Sequence, residues 1–168
     1  MKTLVTYFSQ TGKTKLVAEA IFGALTGDKE IKDFEQVGSL EGYDLSFIGF
    51  PIIAFGPAKQ GKDFLEKYGA GKKVALFITH ASPEKEEGLD QWLDKCREAA
   101  AGADLVGMFD CMGELSEQVA EFLVKSTDPM MRSFGERRGE TLGQPDETRL
   151  QRAREFATEI MSKAGSPK

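Results

Sequence analysis

The chain has 168 residues, 29% of them charged, with a formal net charge of −5. That length suits one domain over 1–168 with a core of its own, and the mixed charge and plentiful apolar residues exclude wholesale disorder. The acidic balance argues against nucleic-acid binding; it serves solubility or docking to a basic protein.

Two cysteines, Cys96 and Cys111, suit a reducing, cytoplasmic compartment. No zinc-like spacing is present, and the lone histidine, His80, excludes a His-rich metal site. The opening MKTLVTYFSQ has an apolar run too short for a signal peptide. No stretch approaches the ~20 apolar residues of a membrane span.

In chain order, apolar strands alternate with helical patterns. Residues 2–8 (KTLVTYF) predict a strand of β-branched and aromatic residues. Residues 13–26 place Leu16, Val17, Ala20, Ile21 and Leu25 on one helical face. Residues 28–35 form a polar strand that suits a sheet edge. Residues 44–50 (DLSFIGF) are an apolar strand, expected to stop at Pro51. A short helix over 59–68 precedes a strand over 72–79 (KKVALFIT). A helix over 84–101 follows, built on Leu89, Trp92, Leu93 and Cys96, then a strand over 104–110. Residues 112–145 are irregular, with a helix expected at 114–125 and a turn-rich remainder. A last helix spans 146–163, and the tail AGSPK should fray. Strict alternation implies parallel strands joined by helical crossovers. The strongest strands are apolar almost throughout, as strands covered on both faces should be.

The first turn, SQTGKT, ends like a nucleoside-triphosphate loop. Such a loop needs a glycine five residues before Gly12. Tyr7 stands there, inside the strand, so a di- or triphosphate is not cradled. A single phosphate is better suited. Ser9, Thr11 and Thr14 supply hydroxyls, Gln10 to Lys13 offer backbone N–H groups, and Gly12 allows close approach. The turn opens a helix, whose unpaired N–H groups and dipole favour an anion. The bland alternative is Ser9 or Thr11 capping a helix with nothing bound.

SQTGKT resembles the phosphate-binding loop of the flavodoxin family, T/S-x-T-G-x-T, and lies at the matching place between first strand and first helix. The resemblance covers most of the chain, with 112–145 as an elaboration. It implies an α/β, flavodoxin-like three-layer fold: a five-stranded parallel sheet in the order 2-1-3-4-5 with helices on both faces. It also implies FMN as cofactor, held at the carboxyl ends of the strands. Two further loops would meet the ring. Pro51, Ile52, Ile53, Ala54, Phe55 and Gly56 would flank its dimethylbenzene side, with Gly56 able to flip its peptide against the restraint of Pro57. Phe55 either covers the ring or plugs the end of the core. Thr79, His80, Ala81 and Ser82 would meet the pyrimidine edge. His80 reads equally as an exposed loop imidazole, and Cys111 reads best as a buried thiol.

The usual Trp and Tyr that sandwich the ring are missing from both loops, and Trp92 falls inside a helix pattern. Stacking should therefore be weak or one-sided. Glu84, Glu86 and Glu87 follow the second loop, and their field should oppose negative charge on the reduced ring. The favoured function is an FMN-binding electron-transfer protein passing electrons between redox partner proteins in transient complexes. The alternative is an FMN-dependent reductase of NAD(P)H, quinones or other small molecules. There 112–145 acts as a lid, with Arg132, Arg137 and Arg138 either attracting an anion or simply solvated. No catalytic acid, base or nucleophile is arranged in the chain. A phospho-receiver lacks the acidic cluster it needs, because Ser9-Gln10-Thr11 follows the first strand.

Overall fold

The computed structural model describes residues 1–165. The fraying expected of the tail falls partly on 166–168, outside the described residues.

Five parallel strands form the sheet: β1 (Lys2–Tyr7), β2 (Asp28–Asp33), β3 (Leu45–Ile53), β5 (Lys73–His80) and β6 (Asp104–Met112). Their spatial order is β2-β1-β3-β5-β6. A two-residue strand, β4 (Gly56–Pro57), folds back antiparallel on the end of β3. Counting only the parallel strands, this is the expected order. Polar β2 lies at an edge, where its inner neighbour alone must be paired.

Alternation along each strand divides the core into two layers. Leu4, Ile48, Phe50, Leu76 and Ile78 pack on one face against α2 (Lys59–Tyr68) and α3 (Leu89–Ala99). Val5, Phe47, Ala75 and Phe77 pack on the other against α1 (Lys13–Ala24) and α6 (Glu147–Ala164). Each fully buried Leu, Ile or Phe removes enough apolar surface from water to contribute about 1.5–3 kcal/mol.

Three boundaries differ from the sequence expectation. β3 does not stop at Pro51; it runs on to Ile53. Proline is tolerated there because Pro51 keeps its place beside Thr79 of β5, and its carbonyl accepts the Ala58 N–H at 3.0 Å. α3 starts at Leu89 rather than 84, after turns through 83–88. The irregular region is ordered into α4 (Glu117–Val124), α5 (Pro129–Glu136) and a short 3₁₀ turn over Arg138–Thr141. Ser116 and Asp128 cap α4 and α5 through their side chains, and Pro129 sits at the first turn of α5.

Candidate functional site

The sheet reverses its winding at β1, with β2 on one side and β3 on the other. Loops leaving the carboxyl ends of β1 and β3 therefore diverge and leave a crevice. Except for Ser9, Gly12 and Gly56, every residue assigned to the site from sequence lines one cavity there, of about 400 Å³.

The first loop supplies the polar end. Gly12 is the N-cap residue of α1 and holds a left-handed backbone at φ 87°. A β-carbon would disfavour that conformation. Gly12 itself has no side chain to cap the helix. Ser9 Oγ instead accepts from the Lys15 N–H at 3.3 Å, so Ser9 closes part of the helix start. Thr14 is buried and bonded to Thr79 Oγ1 at 2.7 Å, tying the first loop to the end of β5. Two hydroxyls sharing one bond leave one O–H free to donate elsewhere. Gln10 and Thr11 are exposed at the cavity edge. Lys13 Nζ lies 3.9 Å from Glu114 Oε2. The hydrogen bond from the Gly143 N–H holds the Glu114 carboxyl below its ordinary range.

The second loop is a tight hairpin. Ile53 pairs with Gly56, so Ala54 and Phe55 form its two-residue turn. Both carry positive φ, 53° and 65°. Such turns match the twist of the flanking strands but normally use Asn or Gly. The strain is thus at Ala54 and Phe55. Gly56 itself is paired in β4 and is not among the positive-φ residues. The Phe55 ring lies 5.0 Å from Trp92 and 5.9 Å from Phe134. Phe55 packs against the edge of the core and also lines the cavity.

The third loop is interior. His80 is 4% exposed, not an open loop imidazole. Its Nε2 is 2.9 Å from Asp110 Oδ2, and its Nδ1 is 2.8 Å from the Ser82 carbonyl oxygen. Its own carbonyl accepts the Gly113 N–H at 2.8 Å.

Sequence reasoning missed the fourth wall. Val119, Phe122 and Leu123 of α4 and Met131 and Phe134 of α5 line the cavity with Trp92 of α3. The i, i+3, i+4 spacing of Val119, Phe122 and Leu123 was the available signal. Trp92 does reach the site, although it lies within α3, because that helix packs its buried face toward Phe55. The apolar end is thus lined by an aromatic cluster of Phe55, Trp92 and Phe134 together with α4 and α5. Backbone and side-chain bonds staple the base of the α4–α5 hairpin. Glu114 N–H donates to Gln144 O at 2.8 Å, Leu115 N–H to Thr141 Oγ1 at 2.9 Å, and Arg138 Nε to Leu115 O at 2.9 Å.

Two charge expectations also change. Glu86 accepts two bonds from Arg137, at 2.9 and 3.3 Å. Glu84 accepts two from Arg149, at 2.6 and 2.8 Å, which holds its carboxyl below the ordinary range. Paired carboxylates project little net field, so the repulsive field expected of these glutamates shrinks to exposed Glu87. Arg137 and Arg138 are committed to Glu86 and Leu115, and Arg132 Nε sits 3.9 Å from Glu136. Arg137 and Arg138 are thus taken by protein partners, whereas Arg132 has only that long, exposed contact. Burial pushes the Cys96 and Cys111 thiols up to about 12, so neither is a reactive thiolate.

A parallel sheet in this order, with a cavity at the carboxyl ends of its strands that is polar at the start of α1 and apolar beyond, is the architecture of a flavodoxin-like protein. Comparison with known proteins agrees. Residues 4–158 match the flavodoxin domain family, and the chain belongs to that family. It is 31% identical over 174 residues to the flavodoxin-like domain-containing protein BilS of Clostridioides difficile (strain CD3), covering 98% of each chain. In fold it is similar to a flavodoxin from the domain Archaea, with a TM-score of 0.62 and 18% identity, over 99% of this chain and 100% of that one. A flavoprotein of Lactobacillus acidophilus NCFM, solved in complex with FMN, matches 65% of this chain and 92% of its own, with a TM-score of 0.53 and 24% identity.

Proposed function

We propose that this protein binds FMN and carries electrons between redox partner proteins in the cytoplasm. The observation that carries this reading is one cavity with a polar end at the start of α1 and an apolar end walled by Ile52, Phe55 and Trp92. FMN has the same polarity: a dianionic ester at one end and a planar ring at the other. The left-handed Gly12 and the first N–H groups of α1 suit the ester, and Thr11 and the Thr14–Thr79 pair add hydroxyls. Bound there, FMN supplies the electron chemistry; the protein binds, orients and shields it. Pro51–Phe55 and the α4–α5 hairpin exclude water from the ring end. Thr79, Ala81 and Ser82 border the other edge.

A small-molecule reductase of the same cofactor is the second reading. The observation favouring it is the apolar hairpin wall, which gives an apolar substrate somewhere to rest. Titration with FMN tests the cofactor: flavin fluorescence should be quenched stoichiometrically and the melting temperature should rise. Unchanged fluorescence and an unchanged melt defeat both readings. Steady NAD(P)H consumption by the purified holoprotein alone decides for the reductase; turnover only with an added redox protein decides for the carrier.

A further inference from the structure

We infer that Glu114 is a specificity-determining residue of the site: its fixed carboxylate cancels the charge of Lys13 and opposes the phosphate, lowering the preference for FMN over the phosphate-free flavin. The inference rests on the FMN reading and deepens it by naming the residue that limits how tightly the ester is held.

Few charges face the cavity. Among the described residues that line it, Lys13 is the one lysine or arginine and Glu114 the one carboxylate. Lys13 Nζ lies 3.9 Å from Glu114 Oε2. Lys13 is the first residue of α1, so its ammonium adds to the unpaired N–H groups that suit an anion there. Glu114 subtracts from that attraction. An arriving phosphate meets one cation and one anion, and its binding then rests on neutral donors, the α1 N–H groups and the threonine hydroxyls.

The carboxylate is held in place from several sides. β6 leaves the sheet against the first loop. The Gly113 N–H donates to His80 O at 2.8 Å, and a β-carbon on Gly113 would lie 3.4 Å from Lys13 Cβ and 3.8 Å from Thr79 Cβ. Glu114 follows and is pinned at both backbone and side chain. Its N–H donates to Gln144 O at 2.8 Å, and its Oε1 accepts the Gly143 N–H at 2.9 Å. The Gly143 bond uses the oxygen that does not face Lys13, so it survives when a ligand draws Lys13 away. That bond first, then Lys13 and Arg138, keep the carboxyl ionised. Two effects of one sign follow. Lys13 must leave a carboxylate to reach the ester, and the carboxylate repels the ester directly. The Gly143 bond also fastens the return of the α4–α5 hairpin. A neutral amide oxygen can accept that N–H as well, so charge and structure are separable at this position.

Glu114→Gln makes that separation. In flavin-fluorescence titrations of the apoproteins at low ionic strength, the ratio of FMN to riboflavin affinity should be about threefold or more higher in the variant than in wild type. Taking the ratio cancels any change at the ring end. The gain should shrink towards about 1 M salt, where screening acts within ~3 Å. Wild type supplies a second measurement that stands even if Glu114→Gln fails to fold. With Lys13 cancelled and a chain charge of −5, its FMN affinity should stay level or rise as salt increases. An unchanged or lower ratio in the variant, a gain that salt leaves undiminished, or a wild-type affinity that falls severalfold with salt overturns the inference while leaving FMN binding intact. Wild-type protein that leaves FMN fluorescence unquenched overturns both.

Discussion

Single residues set the two ends of the cavity. Gly12→Ala should cost about 1–2 kcal/mol of stability, the penalty of a left-handed β-carbon, and should weaken FMN binding by moving the start of α1. Denaturant unfolding and flavin titration check the two effects separately. Ala54 makes the opposite case. It is exposed, with φ 53° and no ring to anchor it. Relief of about 1–2 kcal/mol of left-handed strain exceeds the ~0.5–1 kcal/mol entropic cost of glycine. Ala54→Gly should therefore stabilise by roughly 0.5–1 kcal/mol, an unusual sign for that substitution; a lower denaturation midpoint would contradict the hairpin geometry. Phe55 shares the strain but gains contacts with Trp92 and Phe134, so the same change there removes more than it relieves.

Among the elements, the α4–α5 hairpin is the part of the site that depends on one close crossing. A β-carbon on Gly135 would lie 2.8 Å from the Ala120 carbonyl oxygen and 2.9 Å from the Val124 nitrogen. Both are backbone atoms and cannot swing aside. Gly135→Ala should push α5 from α4, cost about 1–3 kcal/mol and loosen the wall formed by Met131 and Phe134. Hydrogen exchange checks this: amides of α4 and α5 should exchange faster, while those of β3 and β5 keep their protection. The overrun of β3 past Pro51 belongs to the same scale. It carries Ile52 and Ile53 into register with Pro57 and Gly56 and so aims the second loop.

Across the whole molecule, two arginines bind the site's periphery together. Arg149 of α6 holds Glu84, and Arg137 beyond α5 holds Glu86, both in the segment after β5. Glu84 has a folded value below its ordinary 4.5. The unfolded chain therefore binds the proton first, so the pair's contribution is complete above that ordinary value and is lost as pH falls through the lower folded one. Urea unfolding between pH 6 and 3 should show wild type losing more stability than Glu84→Gln across that acid window. Parallel pH profiles would mean that the pair contributes nothing.

Much of this was legible beforehand. Apolar runs and helical spacing placed the strands, and SQTGKT placed the polar end of the crevice at the exit of β1. These features are local: a strand's period and a turn's hydroxyls are written in consecutive residues. The partners of Glu84 and Glu86, the arrival of Trp92 beside Phe55, the burial of His80 against Asp110 and the hairpin's place over the cavity are not local. Each joins residues tens of positions apart, and only packing of the sheet, helices and hairpin brings them within reach. The sequence alone determined the order of elements and the ends of strands where a ligand can sit. Tertiary structure decided which charges are neutralised, which residues line the apolar end and which side chains are buried against one another, because those depend on distance through space.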